Sequence, residues 1–201
     1  MFKANVTEET VRDLLTESQA LLSGHFLLSS GRHSGNYVQC AQLLRFPKKA
    51  ELVLSRVAEQ IKAAGIEITK VCGPAMGAIL VAYEMGRLLD VEAIFTERNK
   101  QTDQMELRRN FVVSEGDKIL LVEDAVTTGK STMETVKVLE DLGAKVVALG
   151  CIADRRTAAA VELPFPVFSA IKLDLPSYSP EECPLCKAGT PLVQHGSRKM
   201  K

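Results

Sequence analysis

Neither charge predominates in this sequence: Lys and Arg together number 25, as do Asp and Glu, which leaves a formal net charge of zero over 201 residues. No global field therefore draws the chain to nucleic acid or to an anionic membrane, and any anion it binds must be met by local charge. Long apolar runs are missing too. The longest, VVALGCIA at residues 146–153, falls far short of the roughly 20 residues that a membrane-spanning helix needs. Residues 1–20 are too acidic for a secretory signal. Cysteine is sparse and odd in number, five in all, and Cys40, Cys72 and Cys151 lie in or beside apolar runs, where a thiol behaves as a small hydrophobe. Reduced thiols fit better than a disulfide framework, and a soluble cytoplasmic protein is the expectation. No internal repeat and no linker divides the chain, which is 46% hydrophobic and long enough for one core.

What is present is an alternation of two periodicities. Val11, Leu14, Leu15, Leu21 and Leu22 follow a helical spacing behind Thr7, so residues 7–22 are predicted to form an N-terminal helix. A Gly/Ser-rich stretch comes next, with short apolar pieces at 26–28 and 37–40 that read as two strands joined by a polar turn. Pro47 opens a helix to about Ala63. From Ile68 onward, the strand-like runs TKVCG, VEAIF, KILLV and KVVALGCIA alternate with helices at about 77–89 and 131–142. That alternation argues for a parallel α/β sheet. Residues 164–173 suggest one more strand, and the Pro-rich tail from Leu175 shows no periodicity.

The richest segment is ILLVEDAVTTGKST, residues 119–132. Its first four residues suit a buried parallel strand, and Val136, Leu139 and Leu142 mark a helix that Gly143 would end. Between them lies AVTTGKS, at the carboxyl end of a strand and the start of a helix. Backbone N–H groups there, with the hydroxyls of Thr127, Thr128 and Ser131, make a cradle for a phosphate. Gly129, Lys130 and Ser131 also spell the end of a nucleoside triphosphate loop, but that loop needs glycine where Asp124 stands. Two adjacent carboxylates, Glu123 and Asp124, would repel a bare polyphosphate yet accept well from the two hydroxyls of a ribose. Ribose 5-phosphate fits both halves. A second glycine-rich turn, GPAMGA at residues 73–78, follows a strand and precedes a helix, so backbone N–H groups can approach an anion closely.

VEDAVTTGKS resembles the phosphoribosyl pyrophosphate signature of the type I phosphoribosyltransferases. The resemblance implies a central parallel sheet flanked by helices, with a small hood built partly from the N-terminal segment. It implies one domain, with N-terminal helix and hood at about 1–45, core at about 46–174 and tail at 175–201. By position, Glu123 and Asp124 would hold the ribose hydroxyls, while Ala125, Val126, Thr127, Thr128, Gly129, Lys130 and Ser131 would wrap the 5-phosphate. Gly73, Pro74, Ala75, Met76 and Gly77 would form the pyrophosphate loop.

Two further segments, FLLSSGRHSGNY (26–37) and CIADRR (151–156), resemble the orotate phosphoribosyltransferases. Carried over, Thr127 and Arg155 would contact orotate, whose carboxylate a planar guanidinium can pair in bidentate fashion. The bland reading of Arg155 is a surface ion pair with Asp154 or a nearby acid. Ser29 and Gly77 stand where the best-known bacterial enzymes carry lysine, and the chain looks similar to the version found in Thermus-like bacteria. Alternatives on the same fold are a transferase for a purine base and a ligand-sensing regulator. A regulator should add a basic face or a DNA-reading helix pair, which this sequence lacks.

Substitution at an anomeric carbon passes through an oxocarbenium-like state, so positive ribose and departing pyrophosphate must be stabilised together. Mg²⁺ is the implied cofactor, held by the pyrophosphate, with no direct protein ligation expected. Catalytic candidates are Asp124 and the cations Arg98 and Lys100, with Arg108 and Arg109 beyond; the polar loop they occupy has the length of a lid. A homodimer, in which a lid residue can serve the neighbouring subunit, is implied by the resemblance. Outside this scheme lies CPLC, with Cys183 and Cys186 as half of a zinc knuckle and His195 as a conceivable third ligand; two plain thiols in a tail are the alternative. His25 and His33 flank the first loop as hydrogen-bonding residues.

Overall fold

The computed structural model describes residues 6–28, 30–157 and 160–194, which form two sheets. Helix α1 (Glu8–Glu17) starts at Thr7, whose hydroxyl accepts the Thr10 N–H at 3.2 Å. It stops short of the expected Leu22. Gln19 turns left-handed, with φ of 60°, and the Ala20 N–H closes on the Leu15 carbonyl at 2.7 Å, ending the helix before Leu21. Leu21 and Leu22 instead open β1 (Leu21–Leu27), which pairs antiparallel with β2 (His33–Val38). A short helix, α2 (Ala41–Leu44), leads to α3 (Pro47–Ala63), where proline occupies the first turn, whose N–H groups have no intrahelical acceptor.

The core follows the expected alternation: β3 (Lys70–Pro74), α4 (Ile79–Leu89), β4 (Glu92–Arg98), β5 (Met105–Leu107), β6 (Lys118–Val126), α5 (Lys130–Asp141), β7 (Lys145–Asp154) and β8 (Val167–Lys172). Strand order is β5-β4-β3-β6-β7-β8, with every pair parallel except β4 and β5. Both faces are covered, which is why the central strands read as unbroken apolar runs. Leu120 and Val122 bury on one side with Leu54, Val57 and Met85, while Ile119 and Leu121 bury on the other with Val136 and Leu139. Among the described residues, no helix is long and apolar enough to cross a membrane.

Two segments differ from expectation. The polar stretch after VEAIF is a hairpin, because β4 continues through Arg98 and β5 returns with Glu97 opposite Glu106 and Arg98 opposite Met105. The tail is no structureless appendage. Strand β9 (Ser177–Tyr178) pairs with β2, and β10 (Val193–Gln194) pairs with β1, with the one-turn helix α6 (Pro184–Lys187) between them. The hood sheet, ordered β10-β1-β2-β9, is therefore made from both ends of the chain. Strands this short carry too few residues for periodicity to show.

Candidate active site

The direction in which successive connections step across the main sheet reverses between the parallel neighbours β3 and β6: β3 leads outward to β4, while β6 leads the other way to β7 and β8. Loops at the carboxyl ends of two such strands diverge and leave a crevice, the usual ligand position in an open α/β sheet. The loops that meet here are GPAMGA and AVTTGKS. The first is anchored by the Ala75 N–H, which donates to the Thr96 carbonyl at 2.7 Å, and contains a cis Ala75–Met76 peptide. Its turn needs Gly73, since a Cβ there would lie 2.8 Å from the Ala78 carbonyl oxygen. Gly77 lies against the Asp124 carboxyl, which brings the two loops together.

Alternation along β6 puts Ile119, Leu121 and Glu123 on one face and Leu120, Val122 and Asp124 on the other. The two acids therefore leave the strand end on opposite sides. Glu123 turns toward α5, where its Oε1 accepts the Ser131 hydroxyl at 2.8 Å. Asp124 turns toward Gly77, and its Oδ1 accepts the Ala125 N–H at 2.8 Å. Neither carboxylate meets a cation among the described residues. Burial pushes the Glu123 carboxyl up to about 8, against the Ser131 hydrogen bond and with help from the Asp124 charge. Burial raises Asp124 as well. Ser131, expected to face a phosphate, is here engaged with Glu123.

Thr127, Thr128 and Lys130 are exposed, and Gly129 takes the left-handed backbone, φ 77°, that lets the chain turn into α5. Residues 160–165, which carry no motif, also belong to this neighbourhood. They lie over the AVTTGKS loop: the Val161 N–H donates to the Thr128 carbonyl at 3.1 Å, and Val161 and Leu163 flank Gly129.

At the end of β7, Asp154 chooses Arg156, not Arg155. Arg156 grips it in bidentate fashion, Nε to Oδ1 at 2.9 Å and Nη2 to Oδ2 at 2.8 Å. These bonds hold the Asp154 carboxyl below the usual range although burial opposes them. Arg155 remains half-buried, with no ion pair among the described residues and with its Nε lacking any hydrogen-bond partner there. Burial lowers its pKa, while Cys40 and Tyr37 nearby work the other way. The Arg155 N–H donates to the Val126 carbonyl at 2.9 Å, which fixes it to the start of the AVTTGKS loop. Cys40 joins the same neighbourhood: its Sγ lies 3.4 Å from the Asp124 carbonyl, and burial raises its pKa far beyond the ordinary thiol range.

The hairpin cations are mostly engaged. Arg98 bonds to Glu134 on α5 and to the Asp103 carbonyl. Arg109 pairs with Glu97 through two bonds, at 3.0 and 3.2 Å, and Arg108 lies 3.5 Å from the same acid. Lys100, exposed at the hairpin turn, makes no ion pair among the described residues.

Comparison with known proteins is consistent with this geometry. Residues 41–172 match the family described as phosphoribosyl transferase domain. A protein of Heliobacterium modesticaldum named orotate phosphoribosyltransferase is 48% identical over 194 residues, covering 96% of this chain and all of that one. The crystal structure of orotate phosphoribosyltransferase from Aeropyrum pernix superposes with a TM-score of 0.71 at 22% identity, over 81% of this chain and 93% of that one. An adenine phosphoribosyltransferase from Thermoanaerobacter pseudethanolicus gives 0.59 at 15% identity, over 69% and 88%. The last pair shows the fold alone, so fold does not select the base.

Proposed function

This chain belongs to the phosphoribosyltransferase family and, within it, to the orotate phosphoribosyltransferases, and we propose that Arg155 is the group that selects its base. The reaction transfers ribose 5-phosphate from phosphoribosyl pyrophosphate to orotate, giving orotidine 5′-monophosphate and pyrophosphate, a step of pyrimidine nucleotide synthesis. One observation carries the assignment of the base: among the described residues Arg155 is half-buried beside the phosphate loop without a counter-ion, while its neighbour Arg156 takes Asp154. A planar guanidinium in that state is a receptor for a carboxylate, which orotate has and adenine, hypoxanthine and uracil lack.

The other roles follow from position. The exposed hydroxyls of Thr127 and Thr128 and the first-turn amides of α5 wrap the 5-phosphate, and Thr127 borders the base. Glu123 and Asp124, two carboxyls without cations among the described residues, accept the ribose hydroxyls and, when ionised, favour the positive character that the ring acquires. Gly73 to Gly77 offers backbone amides to pyrophosphate, and Lys100, at the tip of the hairpin, is free to reach the leaving group and shut out water that would hydrolyse the activated ribose. Mg²⁺, a hard cation suited to phosphate and hydroxyl oxygens, supplies further neutralisation of the pyrophosphate when bound. The carboxylate and hydroxyl oxygens at this rim fit its preference without a dedicated protein cage.

A homodimer fits the surface: Met76, Leu80 and Tyr83, spaced along one side of the pyrophosphate loop and α4, are 84%, 55% and 69% exposed, an apolar stripe beside the site. Five unpaired thiols suit a reducing cytoplasm.

Orotate consumption with phosphoribosyl pyrophosphate and Mg²⁺, followed by absorbance beside hypoxanthine, adenine and uracil, tests the proposal. Turnover of orotate alone, lost in Arg155→Ala, is the expected result. Turnover of a purine would keep the reaction class and remove the base, and binding of the donor without turnover of any base would point to a sensor.

A further inference from the structure

Away from the crevice, His25 on β1, His33 on β2 and the CPLC cysteines converge at the junction of hood and tail. Four donor atoms lie within 4.8 Å of one another: one ring nitrogen from each histidine and the two sulfurs. Nε2 of His25 is 3.1 Å from Nδ1 of His33, 3.5 Å from Sγ of Cys183 and 3.7 Å from Sγ of Cys186. Nδ1 of His33 is 3.2 Å from Sγ of Cys186. Tetrahedral zinc, with bonds of about 2.0–2.1 Å to nitrogen and about 2.3 Å to sulfur, places its ligand atoms about 3.3–3.8 Å apart. The contacts made by the two imidazoles fall at nearly those separations.

Hydrogen bonding among the four groups does not account for this convergence. The other nitrogen of His25, Nδ1, lies 2.8 Å from the Thr190 carbonyl, which can only accept, so Nδ1 carries the proton. Nε2 then has one lone pair, yet three groups crowd it. A cation at the centre would use that lone pair and those of the other three ligands at once. The Thr190 carbonyl is also the kind of outer partner that orients a metal-binding imidazole. His25, His33 and Cys183 are buried, at 2%, 6% and 0% exposure, so the site is closed, as a structural rather than a catalytic zinc centre is.

We propose that His25, His33, Cys183 and Cys186 bind one zinc ion that fastens the C-terminal tail to the hood. The partnership differs from the one the sequence suggested, since the cysteines meet two strand histidines 158 and 153 residues away. His195 lies outside the described residues. The ion would lock β9 and β10 onto β2 and β1, and with them the strand that carries Tyr37 toward Arg155.

Metal analysis of the protein purified from zinc-supplemented cells should find one zinc per chain, and thiol titration of the folded protein should show Cys186, though exposed, protected until a chelator is added. Cobalt(II) added to metal-depleted protein should give intense tetrahedral ligand-field bands and a thiolate charge-transfer band. Cys186→Ala, at an exposed position where folding should survive, should lose about half of that charge-transfer intensity. Hydrogen exchange in residues 177–194 should rise at least tenfold on metal removal. Absence of zinc with weak octahedral cobalt bands, or a Cys183–Cys186 disulfide whose reduced form binds no metal, would overturn the proposal.

Discussion

A Cβ added to Gly77 would stand 3.0 Å from the Cγ and from both oxygens of Asp124. The loop we assign to pyrophosphate and the acid we assign to ribose are therefore in contact only because residue 77 has no side chain. Any side chain there displaces the carboxyl to which we assign a ribose hydroxyl.

Gly77→Ala is expected to raise the KM for phosphoribosyl pyrophosphate. Overpacking costs about 1–3 kcal/mol, roughly 5- to 150-fold in affinity. The thermal midpoint should move little, since the Asp124 carboxyl can turn into the open crevice. Steady-state kinetics with each substrate varied in turn checks this, and an unchanged donor KM would separate Gly77 from the donor site.

Arg155→Ala should raise the KM for orotate while leaving that for the donor unchanged. Truncating one partner of a desolvated charge pair costs about 2–5 kcal/mol, or roughly 30-fold and upward. Arg155→Lys should recover only part, because an ammonium does not present the planar fork. Stability should hold or rise in the free enzyme, where the guanidinium is half-buried without a counter-ion among the described residues. Equal increases in both KM values would make Arg155 a packing residue.

Glu123 makes stability depend on pH in a definite direction. Its folded pKa, about 8, is raised from the ordinary carboxylate value of 4.5, so between these values the folded state holds more protons than the unfolded chain. Stability from this group is then greatest at acid pH and declines as pH rises from about 4.5 to about 8. Glu123→Gln removes that cost, which before relaxation amounts to about 1.4 kcal/mol for every tenfold difference in proton affinity between the folded and unfolded chain. Thermal melts across pH 5 to about 9 should show the variant gaining on the parent as pH rises. A constant difference would contradict the burial that raises the pKa.

Lys100 and Arg98, equal candidates in sequence, should separate. Lys100→Ala is expected to lower kcat by about 10²-fold, as for loss of one transition-state donor, with an unchanged melting temperature. Arg98→Ala should also destabilise by up to about 1 kcal/mol, since its guanidinium ties the hairpin to Glu134. Glu134→Gln tells the roles apart: if Arg98 only braces the hairpin, this variant should reproduce the kcat of Arg98→Ala.

The strand, loop and helix of residues 118–141 were legible because their apolar run, acids, hydroxyls and helical stripe are contiguous, and contiguous residues keep their order when the chain folds. Residues 97–110 were less so. A polar composition serves a mobile lid or a hairpin equally, and Arg109 folding back onto Glu97 is a contact across 12 positions. The start of β1 was misjudged for a similar reason: Leu21 and Leu22 continue a helical stripe, and only the left-handed turn at Gln19 breaks it. His25 and His33 read as loop histidines because Ser23, Gly24, Ser34 and Gly35 beside them interrupt the apolar alternation of β1 and β2.

By itself, the sequence determined the parallel sheet through local pattern, and the class of reaction through the family resemblance that VEDAVTTGKS carries, since both rest on contiguous residues. Tertiary structure alone decided which of two adjacent arginines is left without an acid among the described residues, on which side of β6 each carboxylate emerges, and that two histidines near one end meet two cysteines near the other. Those outcomes depend on which strand end faces which loop, a matter of long-range packing that no stretch of neighbouring residues encodes.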